Sequence, residues 1–337
     1  MPTSTCYPIG TRKSKLAVIQ SELVYKQLKE KYPDLEFPIM SRDTIGDEIL
    51  SKALFEFKHQ VAKSLWTREL EALLIVNQCR MLVHCLKDLP VEMPEGMTIA
   101  CIPRRNCPLD AIVFPKGSSY KTVADLPAGS VVGTSSIRRR ALLARHFPHL
   151  RFADIRGNVG TRLSKLDEPN SSFSCLVLAA AGLFRLGLKD RVSQMLTAPF
   201  NYYAVGQGAL AIEVREDDKE MIELLKPLQD TETTYCCVAE RSLMKRLQGG
   251  CAIPIGVQCD SLAMSSSAYH VSLDGIVVSA DGRRSSFASG NRVVNSVEDA
   301  EDLGTQVALS LLKNGAGPIL EEHHRSSDSE DSTKLNV

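Results

Sequence analysis

The sequence predicts an α/β fold, and three features of the chain predict it. Short apolar runs with the length of buried strands occur at 81–84 and 175–180. Segments with apolar residues at helical spacing occur at 16–31 and 66–76. Basic side chains directly follow several of the expected strands. In an open α/β sheet the carboxyl ends of the strands are where ligands bind, so these loops are candidate ligand sites.

Length and composition exclude several classes of protein. The 337 residues, 44% of them hydrophobic and 24% charged, suffice for a buried core and two or three domains. Because 40 basic residues balance 40 acidic ones, no general attraction to nucleic acid or to a membrane is expected. The ten cysteines lack any metal-ligand spacing, which favours a reducing cytoplasmic compartment and no metal. No signal-peptide core or membrane-length apolar run is visible.

The segment 131–140, Val-Val-Gly-Thr-Ser-Ser-Ile-Arg-Arg-Arg, predicts an anion-binding junction between a strand and a helix. Gly133 permits a sharp turn, and Thr134 and Ser135 can cap the helix and donate their hydroxyls. Helix N-termini prefer acidic side chains, so Arg138 and Arg139 in the first turn indicate a bound polyanion. The alternative is a solvated basic helix start.

Other strand ends carry similar residues. Arg12 and Ser14 lie between a strand expected at 6–10 and the next helix, where a helix cap beside a solvated arginine is an equal alternative. Lys87 and Asp88 follow the strand at 81–84, and an ordinary surface ion pair is the simpler explanation there. The strands expected at 151–155 and 175–180 are followed by Arg156, Arg162 and Arg185.

Three loops complete the set of candidate sites. Glycines flank Gln207, as expected where the backbone passes close to a ligand or to another chain segment. Residues 48–65 show no regular period and are expected to form a mobile flap. Cys251 lies in a Gly-Gly-Cys loop, although most lone cysteines are small core residues.

Six motifs between residues 9 and 321 resemble, in order, those of the porphobilinogen deaminase (hydroxymethylbilane synthase) family. They are Gly-Thr-Arg-Lys-Ser at 10–14, His-x-Leu-Lys-Asp-Leu-Pro at 84–90, Gly-Thr-Ser-Ser-x-Arg-Arg at 133–139, Arg-Gly-Asn-x-x-Thr-Arg at 156–162, Ala-Val-Gly-Gln-Gly-Ala-Leu at 204–210 and Gly-Gly-Cys at 249–251. The resemblance implies two α/β domains, similar to periplasmic binding proteins, around a cleft, and a small α+β C-terminal domain. It places domain 1 at 1–102 with 204–224, domain 2 at 103–203 and domain 3 at 225–321. The serines and acidic residues of 322–337 predict a disordered tail.

The resemblance also implies an activity. Family members are transferases of haem and tetrapyrrole biosynthesis that add four porphobilinogen units to a dipyrromethane primer and release the linear tetrapyrrole hydroxymethylbilane by hydrolysis. By this resemblance Cys251 holds the primer through a thioether, and Asp88 is the catalytic aspartate. A monomer is expected, with a small-molecule substrate and no nucleic-acid or membrane partner.

The resemblance assigns further residues to binding and to the lid. Those that match the family's cofactor and substrate contacts are Arg12, Ser14, Lys87, Thr134, Ser135, Arg138, Arg139, Arg156, Arg162, Arg185, Gln207 and Gly208. Those in the expected lid are Lys63, Ser64, Leu65 and Trp66. Arginine suits this role because its planar fork binds a carboxylate through two hydrogen bonds.

The chain departs from the family pattern at four places. Cys85 replaces a serine, Arg80 an acidic residue and Leu142 a glutamine, while Val61-Ala62 replace glycine-rich lid residues and are expected to stiffen the lid.

Two other functions are considered. A non-catalytic anion-binding protein could use the same kind of cleft, but it would need neither Asp88 nor the Cys251 loop. A nucleic-acid binder would need exposed aromatic residues among the arginines and an overall basic charge, which the chain lacks.

Overall fold

The computed structural model of the protein describes residues 5–42, 59–247, 253–265 and 267–323, and for 59–66 it describes the backbone alone. The described strands are β1 (Ile9–Arg12), β2 (Ile39–Arg42), β3 (Met81–Cys85), β4 (Met97–Cys101), β5 (Asp110–Val113), β6 (Val131–Gly133), β7 (Arg151–Ala153), β8 (Cys175–Ala179), β9 (Gln194–Leu196), β10 (Leu210–Arg215), β11 (Ile255–Ala263), β12 (Tyr269–Val278) and β13 (Ser285–Val294). The described α-helices are α1 (Lys15–Lys31), α2 (His59–Ile75), α3 (Ile137–His146), α4 (Val159–Asp167), α5 (Ala180–Arg185), α6 (Lys219–Leu225), α7 (Thr231–Arg246) and α8 (Val297–Leu311).

The chain divides into two compact units. The first contains Met1–Pro108, Ala180–Lys189 and Gly206–Thr234, and the second contains Leu109–Ala179, Asp190–Val205 and Tyr235–Val337. The described strands form two five-stranded sheets and one three-stranded sheet, so the α/β prediction is confirmed. The domain boundaries given above stay a prediction.

The sheet of the first unit has the strand order β2-β1-β3-β10-β4. Strands β1, β2 and β3 are parallel, whereas β10 lies antiparallel between β3 and β4. One face packs on α1 and α6 through a core that includes Val24, Met81 and Met221. Leu70 and Leu74 of α2 pack against Leu82 on the other face. Because β10 pairs with β3, the segment that leads from residue 206 into β10 lies beside the end of β3, which precedes Asp88.

The sheet β7-β6-β8-β5-β9 of the second unit repeats this arrangement. Its strands β6, β7 and β8 are parallel, and β5 pairs antiparallel with β8. Helix α3 follows β6 and helix α4 follows β7. The carboxyl ends of these parallel strands thus lead into the segments that carry the arginine motifs.

The C-terminal sheet is an antiparallel meander, β11-β12-β13. Leu243 of α7 and Val307 of α8 pack against Leu273 in its core. Leu142 of α3 is fully buried with Ile276 in a separate apolar cluster. A leucine suits this site because a buried glutamine amide would need hydrogen-bond partners.

Helix α2 differs from the sequence-based expectation. Residues 48–65 were expected to lack regular structure, but the helix begins at His59, about two turns before Trp66. The spacing of Val61 and Leu65 is helical, and the polar residues around them hid the pattern. The expected lid residues Lys63, Ser64, Leu65 and Trp66 therefore have helical backbone, while residues 48–58 lie outside the described residues.

Arg80, a departure from the family pattern, joins β3 to helix α6. Its Nε and Nη2 donate to the Asp218 carboxylate at 2.9 and 2.8 Å, and Nη2 also donates to Glu220 at 3.1 Å. The guanidinium lies 5.4 Å from the centre of the Tyr7 ring. Asp218 is the N-cap of α6, so this pair fixes the helix start on the sheet.

Replacing Arg80 by methionine is expected to lower the free energy of unfolding by about 1–3 kcal/mol, because it removes charged hydrogen bonds from a carboxylate that is almost buried. Urea denaturation followed by circular dichroism measures the loss. Lys226→Met, which breaks the exposed Lys226–Glu223 pair, is the control and should change it by less than about 1 kcal/mol. Equal effects of the two substitutions would contradict the role given to Arg80.

Candidate active site

Lys87 and Asp88 lie in a short 3-10 turn, Leu86–Asp88, at the carboxyl end of β3. The Leu86 N–H donates to the Ala209 carbonyl at 3.1 Å, so the turn packs on the loop that enters β10. Gly206 has φ +71, and an added Cβ would lie 2.9 Å from Leu86 Cγ. Only glycine fits this approach. Asp88 is thus at the strand end, as the sequence predicts, and it is half-buried.

Gln207 positions Lys87. It is 1% exposed, its Nε2 donates to the Pro108 carbonyl at 2.7 Å and its Oε1 accepts from Lys87 Nζ at 3.4 Å. A Cβ on Gly208, which has φ +88, would lie 2.6 Å from the Asn106 carbonyl oxygen. Of the two explanations for these glycines, the structure shows the close approach of another chain segment.

Arg185 is a partly buried cation within the first unit. Its Nη2 donates to the Gly208 carbonyl at 2.7 Å, while its Nε is buried and has no hydrogen-bond partner among the described residues. Burial lowers the pKa of Arg185, and the nearby Cys85 opposes this weakly. Since none of the ion pairs in the described ranges involves it, this guanidinium is suited to bind an anion.

The Cys85 thiol lies next to these residues. It accepts a hydrogen bond from Gln20 Nε2 at 3.0 Å. Burial raises the pKa of Cys85, Asp88 raises it further, and Lys87 and Arg185 lower it. The thiol therefore stays protonated at neutral pH, which makes it a poor nucleophile.

Arg12 and Ser14 lie at the junction of β1 and α1, as expected. Ser14 is the N-cap of α1, and its Oγ accepts from the Ala17 N–H at 3.4 Å. Arg12 is the last residue of β1, in register with Arg42 of β2. Of the two explanations for Ser14, the structure shows the helix cap, while a ligand contact by either residue stays a prediction.

In the second unit, hydroxyl groups fix the junction between β6 and α3. Thr134 Oγ1 accepts from the Ser136 N–H at 3.2 Å, and Ser135 Oγ donates to the Ile155 carbonyl at 2.8 Å. The expectation that Thr134 and Ser135 cap the helix is wrong. Ser136 is the N-cap, and its Oγ accepts from the Arg139 N–H at 3.4 Å.

Arg138 and Arg139 bind a carboxylate of the protein itself. Arg138 Nη2 donates to Asp110 Oδ2 at 2.8 Å, and Arg139 Nη2 and Nε donate to Asp110 Oδ1 at 2.7 and 3.0 Å. Asn201 Nδ2 also donates to Asp110 at 3.0 Å. All three charged side chains are less than a tenth exposed. Burial lowers the pKa of Arg138, and the Asp110 charge opposes it. Asp110 thus explains why two arginines occupy a helix N-terminus.

Arg162 is a second cation without a carboxylate partner in the part of the chain that the structure describes. Its Nε donates to the carbonyl of Gly157 at 2.7 Å, and burial lowers its pKa, with a further contribution from the Arg139 charge. Arg156 is about half exposed, and its Nη2 lies 3.9 Å from Asp154. Of the two residues in this motif, Arg162 is therefore the more desolvated.

Some predicted residues cannot be placed. Cys251 lies outside the described residues, as do the side chains of Lys63, Ser64, Leu65 and Trp66. The primer attachment and the lid therefore stay predictions. In the described ranges no three side chains are arranged to hold a metal ion, and no helix is long and apolar enough to cross a membrane.

Sequence analysis missed several residues of these sites. They are Gln20, Arg105, Asp110, Ser136 and Asn201. Asp110 could have been found from the sequence, because it directly precedes the apolar run 111–114. An acidic residue at a buried strand needs a buried partner. Arg105 Nε donates to the Gln207 carbonyl at 2.8 Å, and no sequence pattern indicates this contact.

The comparison with known proteins assigns the chain to a family. Residues 8–223 match the model of the porphobilinogen deaminase dipyrromethane cofactor binding domain, and residues 234–313 match that of the porphobilinogen deaminase C-terminal domain. The chain belongs to the porphobilinogen deaminase family. It is therefore a transferase of tetrapyrrole biosynthesis that uses a dipyrromethane cofactor.

Similar curated proteins span nearly the whole chain. Porphobilinogen deaminase from Schizosaccharomyces pombe is 77% identical over 334 residues, which cover 99% of both chains. The Debaryomyces hansenii enzyme is 49% identical, with 93% of this chain and 86% of that one covered. The enzyme from the bacterium Prochlorococcus marinus is 43% identical, with 93% and 95% covered.

Solved structures similar to the chain include periplasmic binding proteins. The aliphatic sulphonate binding protein SsuA from Escherichia coli is 13% identical, with a TM-score of 0.38 over 73% of this chain and 71% of that one. A periplasmic domain of BvgS from Bordetella pertussis, also 13% identical, has a TM-score of 0.39 over 66% and 85%. At these low scores, the evidence for the α/β fold of this family member is its sheet topology.

Replacing Asp110 by alanine is expected to lower the free energy of unfolding by about 3–5 kcal/mol, because it leaves two buried guanidinium groups without their carboxylate. Urea denaturation measures this. Asp154→Ala removes the exposed partner of Arg140 and should cost less than about 1 kcal/mol. If Asp110→Ala is as mild as Asp154→Ala, the ion cluster does not stabilise the second unit.

Proposed function

We propose that the two groups of residues described above carry out the family reaction in this chain. The reaction condenses four porphobilinogen units on a covalent dipyrromethane primer and releases hydroxymethylbilane. The observation that carries this assignment is the position of Asp88, which is half-buried in a turn beside Lys87. The charges of Asp88, Lys87 and Arg185 all act on the Cys85 thiol, so the carboxylate lies among cations. A protein that only bound anions would gain nothing from a carboxylate among these cations.

The described residues fit a polyanionic cofactor. Each pyrrole ring of porphobilinogen carries an acetate and a propionate group, so the growing chain presents many carboxylates. Arg162 and Arg185 are desolvated cations that donate to carbonyl groups and retain N–H groups for a carboxylate. The dipyrromethane, when bound through Cys251, would supply the free pyrrole carbon to which the first unit is joined.

Asp88 acts on the reacting pyrrole. Loss of ammonia makes the porphobilinogen methylene electrophilic, and positive charge develops on the pyrrole nitrogen. A carboxylate at this position stabilises that charge and can accept the proton that leaves after the new bond forms. Lys87, oriented by Gln207, binds a substrate carboxylate as a point charge.

Cys85 has a passive role in this scheme. It is close to Asp88, and a thiolate there would compete for the electrophilic methylene. Burial and the Asp88 charge raise the pKa of Cys85, which keeps the sulfur protonated. This supports Cys251 as the site of attachment.

The arginine helix contributes through its position and its charge. One Asp110 carboxylate between Arg138 and Arg139 leaves a net positive charge at the start of α3, next to Arg162. The exposed Arg156 adds a further cation that a carboxylate can reach. We keep Arg12, Ser14, Thr134, Ser135 and Gly208 as proposed cofactor or substrate contacts.

We further propose that the enzyme is a cytoplasmic monomer whose partner is porphobilinogen and not a nucleic acid. No disulfide joins the nine cysteines in the described ranges, which supports a reducing compartment.

Asp88→Asn is expected to reduce kcat by about 10²–10³-fold while the fold and the bound cofactor are retained, because an amide cannot stabilise the developing cation. Steady-state kinetics on protein with confirmed cofactor mass test this. Asp217→Asn is the control, since Asp217 is an exposed residue of the same unit, and it should retain normal kcat. An Asp88→Asn enzyme with normal turnover would remove Asp88 from the mechanism.

The purified protein is expected to be heavier than its sequence by one dipyrromethane, because Cys251 is the cysteine of the Gly-Gly-Cys motif to which the family resemblance assigns the attachment. Intact mass spectrometry and peptide digestion test this. Cys251→Ala should remove the added mass and the activity, whereas Cys85→Ser should retain the added mass. An adduct on Cys85 or Cys259, or a fully active protein without added mass, would overturn the covalent-primer assignment.

A further inference from the structure

A cluster of buried ionisable side chains lies in the first unit, apart from the residues assigned so far. Glu213 of β10 is fully buried, Glu71 of α2 is 5% exposed and His84 of β3 is 9% exposed. His84 Nε2 lies 2.9 Å from Glu213 Oε2. Burial raises the pKa of Glu71, the Glu213 charge raises it further, and His84 and Arg68 lower it. The three groups therefore share one electrostatic environment.

The sheet register brings these groups together. His84 pairs with Ala211 across β3 and β10, so Glu213, two residues further along β10, is on the same face as His84. Helix α2 covers this face, where its Leu70 and Leu74 pack on Leu82. The cluster thus connects two adjacent strands to the helix that packs on them.

Stability alone does not explain why ionisable side chains occupy this apolar layer between the sheet and α2. Buried carboxylates in an apolar layer are unfavourable unless they are paired, and well-packed apolar residues often stabilise such a site as well or better. A polar contact in a core can, however, specify one arrangement of the elements it joins, and the contact of His84 Nε2 with Glu213 Oε2 joins β3 to β10. What the cluster offers over a leucine is therefore a fixed register and orientation.

The two strands of the cluster lead directly to the reacting groups. His84 precedes Asp88 by four residues, and the pairing of β3 with β10 continues to the Leu86–Ala209 hydrogen bond. At Ile212 and Glu213 the register of β10 against β4 shifts, and such irregularities re-aim side chains. Glu71 lies on helix α2, which by its backbone also includes residues 63–66 of the expected lid.

We propose that His84, Glu213 and Glu71 are positioning residues for the reaction, which hold β3 on β10 and on α2 so that the Asp88 turn stays fixed against the loop of Gln207. The inference rests on the role proposed for Asp88. In this proposal His84, the histidine of the His-x-Leu-Lys-Asp motif, positions the Asp88 turn and takes no part in the reaction itself.

Glu213→Gln tests this with little change in shape. The amide removes the carboxylate charge that lies 2.9 Å from His84 Nε2, so the Asp88 turn should lose its fixed position. We expect kcat to fall by about tenfold or more while KM stays within about twofold, because small misplacements of reacting groups reduce rate strongly. Activity is measured below the unfolding temperature of every variant, on protein with confirmed cofactor mass.

Leu74→Ala is the matched control. It creates a cavity on the same face of the same sheet and should destabilise the unit at least as much, yet it should keep normal kcat. A Glu213→Gln enzyme with normal kcat would overturn the inference. So would a Leu74→Ala enzyme that loses as much kcat as Glu213→Gln, because the effect would then be one of stability.

A double-mutant cycle separates this inference from the assignment of Asp88. If Glu213 acts through Asp88, then Glu213→Gln should cost less than about twofold in kcat when Asp88 is already asparagine. Full additivity of the two losses would overturn the inference while leaving Asp88 in the mechanism. Normal kcat in Asp88→Asn alone would instead remove the role of Asp88.

Discussion

The structure depends on one electrostatic requirement, that a guanidinium group taken out of water must meet an anion or carbonyl oxygens. Asp110 meets this requirement for Arg138 and Arg139, and Asp218 meets it for Arg80. Arg162 and Arg185 bind carbonyl groups only, within the described ranges. These five arginines therefore differ in their partners: three bind carboxylates of the protein, and the other two are the ones we propose for a ligand.

This division gives a physical reason for the family's chemistry. A lengthening chain of pyrroles brings new carboxylates with every cycle, and a cation that already shares a carboxylate of the protein binds them less strongly. Cations that the fold has desolvated but not neutralised can do so, because electrostatic attraction is strong where water is excluded. In the proposed mechanism Asp88 is the opposite case, a carboxylate near cationic side chains that would stabilise a cation formed only during the reaction.

The sequence predicted the parts of the fold and site that depend on local pattern. The buried strands, the strand ends that carry basic residues and the strand Tyr269–Val278 follow from apolar periodicity. The family was also predicted correctly, since its motifs occur in order along the chain. The start of α2 was missed because polar residues interrupt its apolar spacing.

Long-range pairing could not be predicted from local pattern. Asp110 and Arg139 are 29 residues apart, and Lys87 and Gln207 are 120 residues apart. Only the folded sheet brings such residues together. For the same reason, the pairing of Asp110 with Arg138 and Arg139 could not be predicted from the sequence, and the ligand contacts of these two arginines stay a prediction.

A crystal structure of the purified enzyme with its bound dipyrromethane tests the central claim most directly. We expect carboxylate oxygens of the cofactor to lie about 3 Å from guanidinium nitrogens of Arg185 or Arg162, while the Asp110 pair with Arg138 and Arg139 remains intact. Cofactor carboxylates that displace Asp110 from Arg138 and Arg139, and leave Arg162 and Arg185 in contact with water alone, would contradict it.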